Sequence, residues 1–464
     1  MKRPLPLIGA ATVYAIGIVI RYLYIFVWHP AADYRYSFMT MYYTAAKNYR
    51  DAAYVPGIRD TLVPPGMGYF IGMTRWPNPL DPSQPNLMPA YAAQLLLSCL
   101  VPLVLGLIAL ELYDRRAALL TVAIASLYFP FIDYAGYFLA EGPFLFFLVL
   151  AFWLLVRSLR AQGWRGWGFL FALFAGLTLG IAAAFKSVAL AAGLCVLAAL
   201  LWLSHKRGLA VRRTILGGAA GLLLVLIPLS VRATRLNEGK FCLIANDWPR
   251  TFLLGHCGAD DHGRRCSRIN FEDTEHYFMS PAAFERSDDG AITVPFKAFE
   301  SSKLLEKGLE DIRKAPVDSC LSSFQHIFDL TFNNLPWPSG AVADKDDPQE
   351  RKDHLASLHP WVETFQKFFI VFLLFPACIY LYRNAGAHIK GNLPGELLVL
   401  MPPIAIMAAA FLFVGEARYR IPFDGFVILL AARQYCGRAE PAAATGADAA
   451  AGRVAYQNEA SKMR

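Results

Sequence analysis

About ten apolar runs, each near or above the length a helix needs to cross a bilayer, limit what this chain can become. They fall at 5–28, 87–112, 117–132, 138–156, 167–185, 187–204, 214–231, 365–381, 397–414 and 421–435. A helix spans the hydrocarbon core with roughly 17–25 residues, and backbone inside lipid must satisfy its own hydrogen bonds. The expectation is an all-α polytopic membrane protein of about ten transmembrane helices, within a range of eight to twelve because several runs are short or abut. Composition agrees, since 56% hydrophobic and 17% charged residues in a chain of 464 is too apolar for a soluble enzyme of that size.

Basic residues set the expected orientation. Lys2 and Arg3, Arg115 and Arg116, Arg157, Arg160 and Arg165, Lys206, Arg207, Arg212 and Arg213, and Arg383 and Lys390 fall on one face if the spans alternate. That face is read as cytoplasmic, so the net charge of +8 is a topology signal and no nucleic-acid surface is implied. The first span has no small-residue cleavage site and is read as retained. The expected organisation is an N-terminal transmembrane module at 1–231 with its first outer loop at 29–86, and a mixed outer, periplasmic segment at 232–364. C-terminal transmembrane helices at 365–436 and an Ala-rich, disordered cytoplasmic tail at 437–464 complete it. The localisation implied is a bacterial cytoplasmic membrane, with any active site facing outward.

Cys99, Cys195, Cys378 and Cys436 lie in or at the ends of apolar runs, where a thiol acts as a small apolar group. Cys242, Cys257, Cys266 and Cys320 lie in the outer segment, where up to two disulfides are allowed and Cys257–Cys266 is the local candidate. His256, Cys257, His262 and Cys266 can also be drawn as a zinc site, but the spacing matches no common finger and no metal is expected.

The outer loops hold the residues suited to chemistry. Asp33 follows the first span, placing a carboxylate at a membrane surface. Beyond it, Phe38, Met39, Tyr42, Tyr43, Ala45, Ala46 and Tyr49 recur at helical spacing, which predicts an interfacial helix anchored to lipid. Glu141, before Gly142-Pro143, either caps a helix N-terminus or serves a site, because a charge at that depth is costly. Lys186 is either a snorkelling lysine at a turn or a cation for a lipid phosphate. Arg418 and Arg420, in Gly415-Glu416-Ala417-Arg418-Tyr419-Arg420, break the cytoplasmic bias of basic residues, and guanidinium groups bind phosphate bidentately. Arg21 lies within the first span, with a stem long enough to snorkel toward Trp28.

In order and sidedness, Asp33, Pro64-Pro65-Gly66 with Tyr69, Glu141-Gly142-Pro143, the span end from Gly176 to Lys186, and Gly415 through Pro422 form one pattern. With the outer stretch from Asn237 to Gly258, it resembles the polyprenyl-phosphate-sugar-dependent membrane glycosyltransferases of the C-type fold. That superfamily contains protein O-mannosyltransferases and lipid A aminoarabinose transferases. Two departures stand out: Asp33-Tyr34 replaces an acidic pair, and the Trp-Trp-Asp signature of oligosaccharyltransferases is missing, with Asn246-Asp247-Trp248 no substitute.

The resemblance implies transfer of a single sugar, with inversion, from a polyprenyl-phosphate donor to a cell-envelope hydroxyl on a lipid, glycan or protein. Asp33 would be the general base. Lys186, Arg418 and Arg420 would bind the donor phosphate, and Glu141 would act beside them, orienting the acceptor or tuning the cations. No organic cofactor is required; a divalent ion among Asp33, Glu141 and the phosphate is compatible with the residues but is not expected. The partners are then the lipid-linked donor, the acceptor and membrane lipids. Two other classes fit less well: a transporter or flippase for a lipid-linked anion, which needs charges at mid-membrane, and an assembly protein, which would leave Asp33, Lys186 and Arg418 replaceable.

Overall fold

The computed structural model describes residues 5–28, 37–51, 53–74, 76–77, 85–161, 166–207, 209–256, 268–271, 291–294, 300–332, 349–390 and 393–437. Asp33, Cys257, Cys266 and the tail from 438 lie outside them. The first half contains α1 (Leu5–Leu23, continuing as a π turn to Trp28), α2 (Ser37–Asn48), α3 (Gly66–Thr74), α4 (Met88–Leu112), α5 (Arg115–Leu127), α6 (Phe129–Asp133), α7 (Glu141–Arg160), α8 (Trp167–Phe185), α9 (Ala189–Arg207) and α10 (Leu209–Leu236). The second half contains α11 (Trp248–His256), α12 (Ser301–Lys314), α13 (Pro316–Phe332), α14 (Gln349–Phe368), α15 (Phe375–Ile389), α16 (Pro394–Leu412) and α17 (Ala417–Cys436). Strand β1 (Trp76–Pro77) pairs antiparallel with β2 (Pro85–Asn86), and β3 (Arg268–Phe271) parallel with β4 (Ala291–Val294).

Every apolar run became a helix or a broken helix, and the protein is a multi-pass, helical membrane protein. Among the described residues seven helices are long and apolar enough to cross a bilayer, or eight when the bent pair formed by α5 and α6 counts as one span. The other two runs fall short for physical reasons. The apolar part of α9 is the shorter stretch Ala189–His205, while α17 carries Arg418, Arg420, Asp424 and Arg433. Residues 420–432 of α17 are all buried, so this helix is sheathed by neighbours instead of lipid. It contacts α5, α15 and α16.

Charged pairs mark the two ends of the bundle. Arg157 and Arg160, at the end of α7, reach Glu111 at 2.7 and 3.1 Å, and Arg433 reaches Asp114 at 3.3 Å. Glu141 begins the same α7, about 30 Å away at 1.5 Å per residue, and pairs there with Lys186. Basic side chains thus close one end of α7 and an acidic one opens the other.

The break between α5 and α6 explains several polar residues inside the bundle. Tyr128 is extended and Pro130 has no N–H, so the bend is 57° and the last carbonyls of α5 lose their helical donors. Arg21 supplies replacements, donating to Ser126 O at 2.5 Å and Ala125 O at 3.2 Å. Its side chain is 1% exposed, so the snorkelling expected toward Trp28 does not occur. From α4, Ser98 donates to Phe131 O at 3.2 Å, and the Gln94 amide donates to the carbonyls of Tyr134, Ala135 and Tyr137. Irregular backbone in a membrane persists only where protein groups satisfy it. Here that backbone leads directly to Glu141.

The pair α8 and α10 is held by close backbone approach. Gly176 and Gly180 on α8 lie against Gly218 and Val225 of α10, Gly217 and Gly221 on α10 lie against Phe169 and Leu173 of α8, and a Cβ at Gly176 or Gly221 would overlap the carbonyl of Gly218 or Leu173 respectively. Small residues four apart allow such contact in lipid, where no hydrophobic force joins helices. Gly221→Val should therefore lower stability by about 1–3 kcal/mol. Thermal unfolding in detergent tests this, with Gly9→Val, whose Cβ would meet nothing within 4 Å, expected to be silent.

Candidate active site

One end of the bundle, where α7, α9 and α17 begin and α8 and α16 finish, surrounds a cavity of about 590 Å3 roofed by residues 241–251. Glu141 is the first residue of α7, and Lys186 immediately follows α8 in an extended conformation. Lys186 Nζ donates to Glu141 Oε1 at 2.7 Å, with the two side chains 17% and 6% exposed. No side-chain capping bond accompanies Ala140, the N-cap of α7. Glu141 is thus both the acid in the first turn of α7 and the partner of Lys186.

Arg418 enters from the first turn of α17. It pairs with Glu416 at 2.6 Å and donates to the Tyr419 hydroxyl at 2.7 Å. The Tyr419 ring carries both cations, Lys186 at 4.8 Å and Arg418 at 4.7 Å from its centroid, an attraction that strengthens when water is excluded. Lys186, Arg418, Glu141 and Tyr419 all line the cavity. The opposite wall is apolar, made by Val188, Leu190 and Ala191 of the α9 end and Ile406, Ala410 and Phe413 of the α16 end.

Arg420 does not join them. Residues two apart on a helix point about 200° apart, and Arg420 is absent from the lining. Its guanidinium donates to Asp424 at 2.9 Å, Thr331 O at 2.8 Å, Leu330 O at 3.3 Å and Gln366 Oε1 at 3.0 Å, and lies over the Phe369 ring at 3.7 Å. Tyr128 completes the group by donating to Asp424 at 2.6 Å. Arg420 thus ties α17 to α13 and α14, which corrects its expected place at the donor phosphate.

The motifs around Pro64-Pro65-Gly66 and Gly415 are close-packing devices. A Cβ on Gly66 would sit 2.6 Å from Ala184 O, at the turn that presents Lys186. One on Gly415 would overlap His326 O, and one on Gly255 would overlap Phe413 O, so α11 and α13 press on the turn that presents Arg418. His256 reinforces this contact, with Nδ1 2.8 Å from Ser319 Oγ and Nε2 3.1 Å from Leu412 O. Both ring nitrogens are thereby engaged, and burial lowers its pKa; His256 is not placed as a zinc ligand. Cys242 and Cys320 are free thiols. Among the described residues no group of three or more His, Cys, Asp and Glu is arranged to hold a metal.

The interfacial helix forms as α2, but its apolar face turns to protein instead of lipid. Met39, Tyr42 and Ala46 are buried, α2 packs on α3, and Tyr49 stacks on Tyr69 at 4.6 Å. Arg232 of α10 clamps this corner, donating to the Tyr49 hydroxyl at 3.1 Å. Tyr42 reaches the cavity. Its hydroxyl pKa is raised, chiefly by burial and further by the nearby Glu141 and Asp247 charges.

Asp133 and Asp247 were not singled out by the sequence reading, nor was Asp424. Asp133 accepts from Tyr24 at 2.6 Å inside the bundle, and its signal was an acid interrupting an apolar run. Asp247 lines the cavity, and burial pushes its carboxyl pKa up against the lowering effects of its own backbone N–H, Arg250 and Lys186. Its only sequence signal was an acid beside Trp248 in the outer stretch.

The chain is a multi-pass helical membrane protein with a cation-lined cavity at one end of its bundle. Residues 60–234 match the family model of dolichyl-phosphate-mannose-protein mannosyltransferases, a stretch that includes Glu141 and Lys186 but neither Asp33 nor Arg418. No curated protein matches the chain in sequence. Two crystal structures of an oligosaccharyltransferase from Archaeoglobus fulgidus share the fold. The apo form has a TM-score of 0.51 at 13% identity, covering 93% of this chain and 50% of that one. The form tethered to an acceptor peptide containing the NVT sequon has a TM-score of 0.50 at 12% identity, covering 94% and 50%. This chain spans about half the length of those structures.

Proposed function

We propose that this protein is a membrane glycosyltransferase that moves a single sugar from a polyprenyl-phosphate carrier to a hydroxyl of a lipid, glycan or protein. The reaction takes place at the outer face of a bacterial cytoplasmic membrane. One observation carries the reading: Lys186 and Arg418 meet an apolar wall of α9 and α16 in a single cavity at the end of the bundle. A lipid phosphate needs both, cations for its head and an apolar groove for its chain. The family match over residues 60–234 supports the same donor chemistry.

In this reading the acceptor oxygen attacks the anomeric carbon opposite the phosphate and gives its proton to Asp33. The bond from that carbon to the phosphate oxygen breaks, inverting the centre, and the electron pair leaves with the phosphate. Lys186 and Arg418 stabilise the charge gathering there. A transporter would employ charges within the bundle, yet Arg21 and Arg420 are committed to backbone carbonyls and buried partners.

Binding of undecaprenyl phosphate to purified protein in nanodiscs tests the assignment. Arg418→Ala should weaken that binding about tenfold or more, the scale of one charge-assisted hydrogen bond. Equal affinity would remove Arg418 from the phosphate site, and absence of binding by the wild type would overturn the glycosyltransferase reading.

A further inference from the structure

Asp247 is the one carboxylate in the roof of the cavity, and the mechanism above leaves it unused. Its backbone is fixed on both sides. Asn246 N donates to Thr61 O at 2.6 Å and Ser301 Oγ donates to Asn246 Oδ1 at 2.8 Å. Asp247 O in turn accepts from both the N–H and the hydroxyl of Thr251, at 3.1 and 3.0 Å. The roof is thus pinned to the first outer loop, to α12 and to α11. Among the described residues no salt bridge or side-chain hydrogen bond engages the Asp247 carboxylate, although Lys186 and Arg250 are close enough to act on its charge.

The position of Asp247 relative to the other groups gives it a task. A phosphate held by Lys186 and Arg418 has two substituents, a polyprenyl chain and a sugar. The chain belongs against the apolar wall of α9 and α16. The sugar is left with the roof, where Asp247, Trp248, Thr251 and Tyr42 converge. A preorganised carboxylate accepts hydrogen bonds from hydroxyls and ammonium groups, and repels another carboxylate.

Resting on the glycosyltransferase reading, we propose that Asp247 recognises the donor sugar by accepting hydrogen bonds from its hydroxyls, which selects neutral or amino sugars over uronic acids. Asp247 is then a specificity residue of the donor pocket, separate in role from the base and from the phosphate cations. The buried setting that raises its pKa also strengthens each hydrogen bond it accepts.

The test compares full-length wild type, Asp247→Asn and Asp247→Ala in nanodiscs, all checked by thermal unfolding. Affinities are measured for bare undecaprenyl phosphate and for carriers bearing a neutral hexose, an amino sugar and a uronic acid. Wild type should bind its best neutral or amino-sugar carrier about tenfold or more above the bare phosphate, with the uronic acid carrier showing no such gain. Both variants should lose that gain while keeping wild-type affinity for the bare carrier, and Asp247→Asn should narrow the discrimination against the uronic acid. A sugar-dependent gain that survives in both variants, an equal fall for bare and sugar-bearing carriers, or a wild-type preference for the uronic acid would overturn the proposal. Wild type that binds the bare carrier without any gain from a sugar would overturn it while leaving the phosphate site intact. Wild type that binds no carrier would instead remove the glycosyltransferase reading itself.

Discussion

Asp33→Asn should reduce sugar transfer by about 10²–10⁴-fold, the usual contribution of a positioned general base, while donor affinity stays at the wild-type level. The substitution keeps the size of the side chain and removes its ability to take a proton. The described residues bracket this position in the sequence: α1 continues to Trp28, and α2, which begins at Ser37, sends Tyr42 into the cavity. Asp33 is four residues before Ser37, so no more than roughly 14 Å of chain separates them. A base must come within hydrogen-bond reach of the acceptor hydroxyl, and this tether allows it. Single-turnover transfer of radiolabelled sugar from a polyprenyl-phosphate donor measures the step directly. Unchanged turnover in Asp33→Asn would end the assignment, and loss of donor binding would show that the residue holds substrate.

Membrane class and helix order were legible in the sequence because both follow from a one-dimensional quantity, the length and position of each apolar run. Glu141, Lys186 and Arg418 were legible as charges at the ends of runs. Direction around a helix axis was less accessible. Arg418 and Arg420 look equivalent as text, yet the helical repeat sends one into the cavity and the other to Asp424 and the α13 carbonyls. The break at Tyr128 was hidden because a proline in an apolar run can kink a helix or be absorbed by it. Arg21, Gln94 and Ser98, which satisfy the freed carbonyls, are distant in sequence from the segment they support. Asp247 was passed over for the same reason, since nothing local indicates that its loop folds over the ends of α8 and α17.

Lys186 and Glu141 should respond in opposite directions when each is replaced, and this separates a phosphate site from a structural ion pair. In the unliganded site Glu141 accepts from Lys186 at 2.7 Å in a largely dry environment. A donor phosphate must compete with that carboxylate for the ammonium group. Glu141→Gln removes the competitor's charge and keeps its shape, so donor affinity should rise. Lys186→Met removes the cation and should lower donor affinity about tenfold or more. It also leaves Glu141, only 6% exposed, without its partner, and breaking a buried pair from one side costs about 3–5 kcal/mol. The melting temperature of Lys186→Met should fall accordingly, and the double variant Glu141→Gln/Lys186→Met should recover much of that stability without recovering donor binding. A purely structural pair gives a different pattern, in which both single variants lose stability and neither changes affinity for undecaprenyl phosphate. Glu141→Gln therefore decides the matter: tighter donor binding places the carboxylate in competition with the phosphate for Lys186, and unchanged binding makes the pair a clamp between α7 and the end of α8.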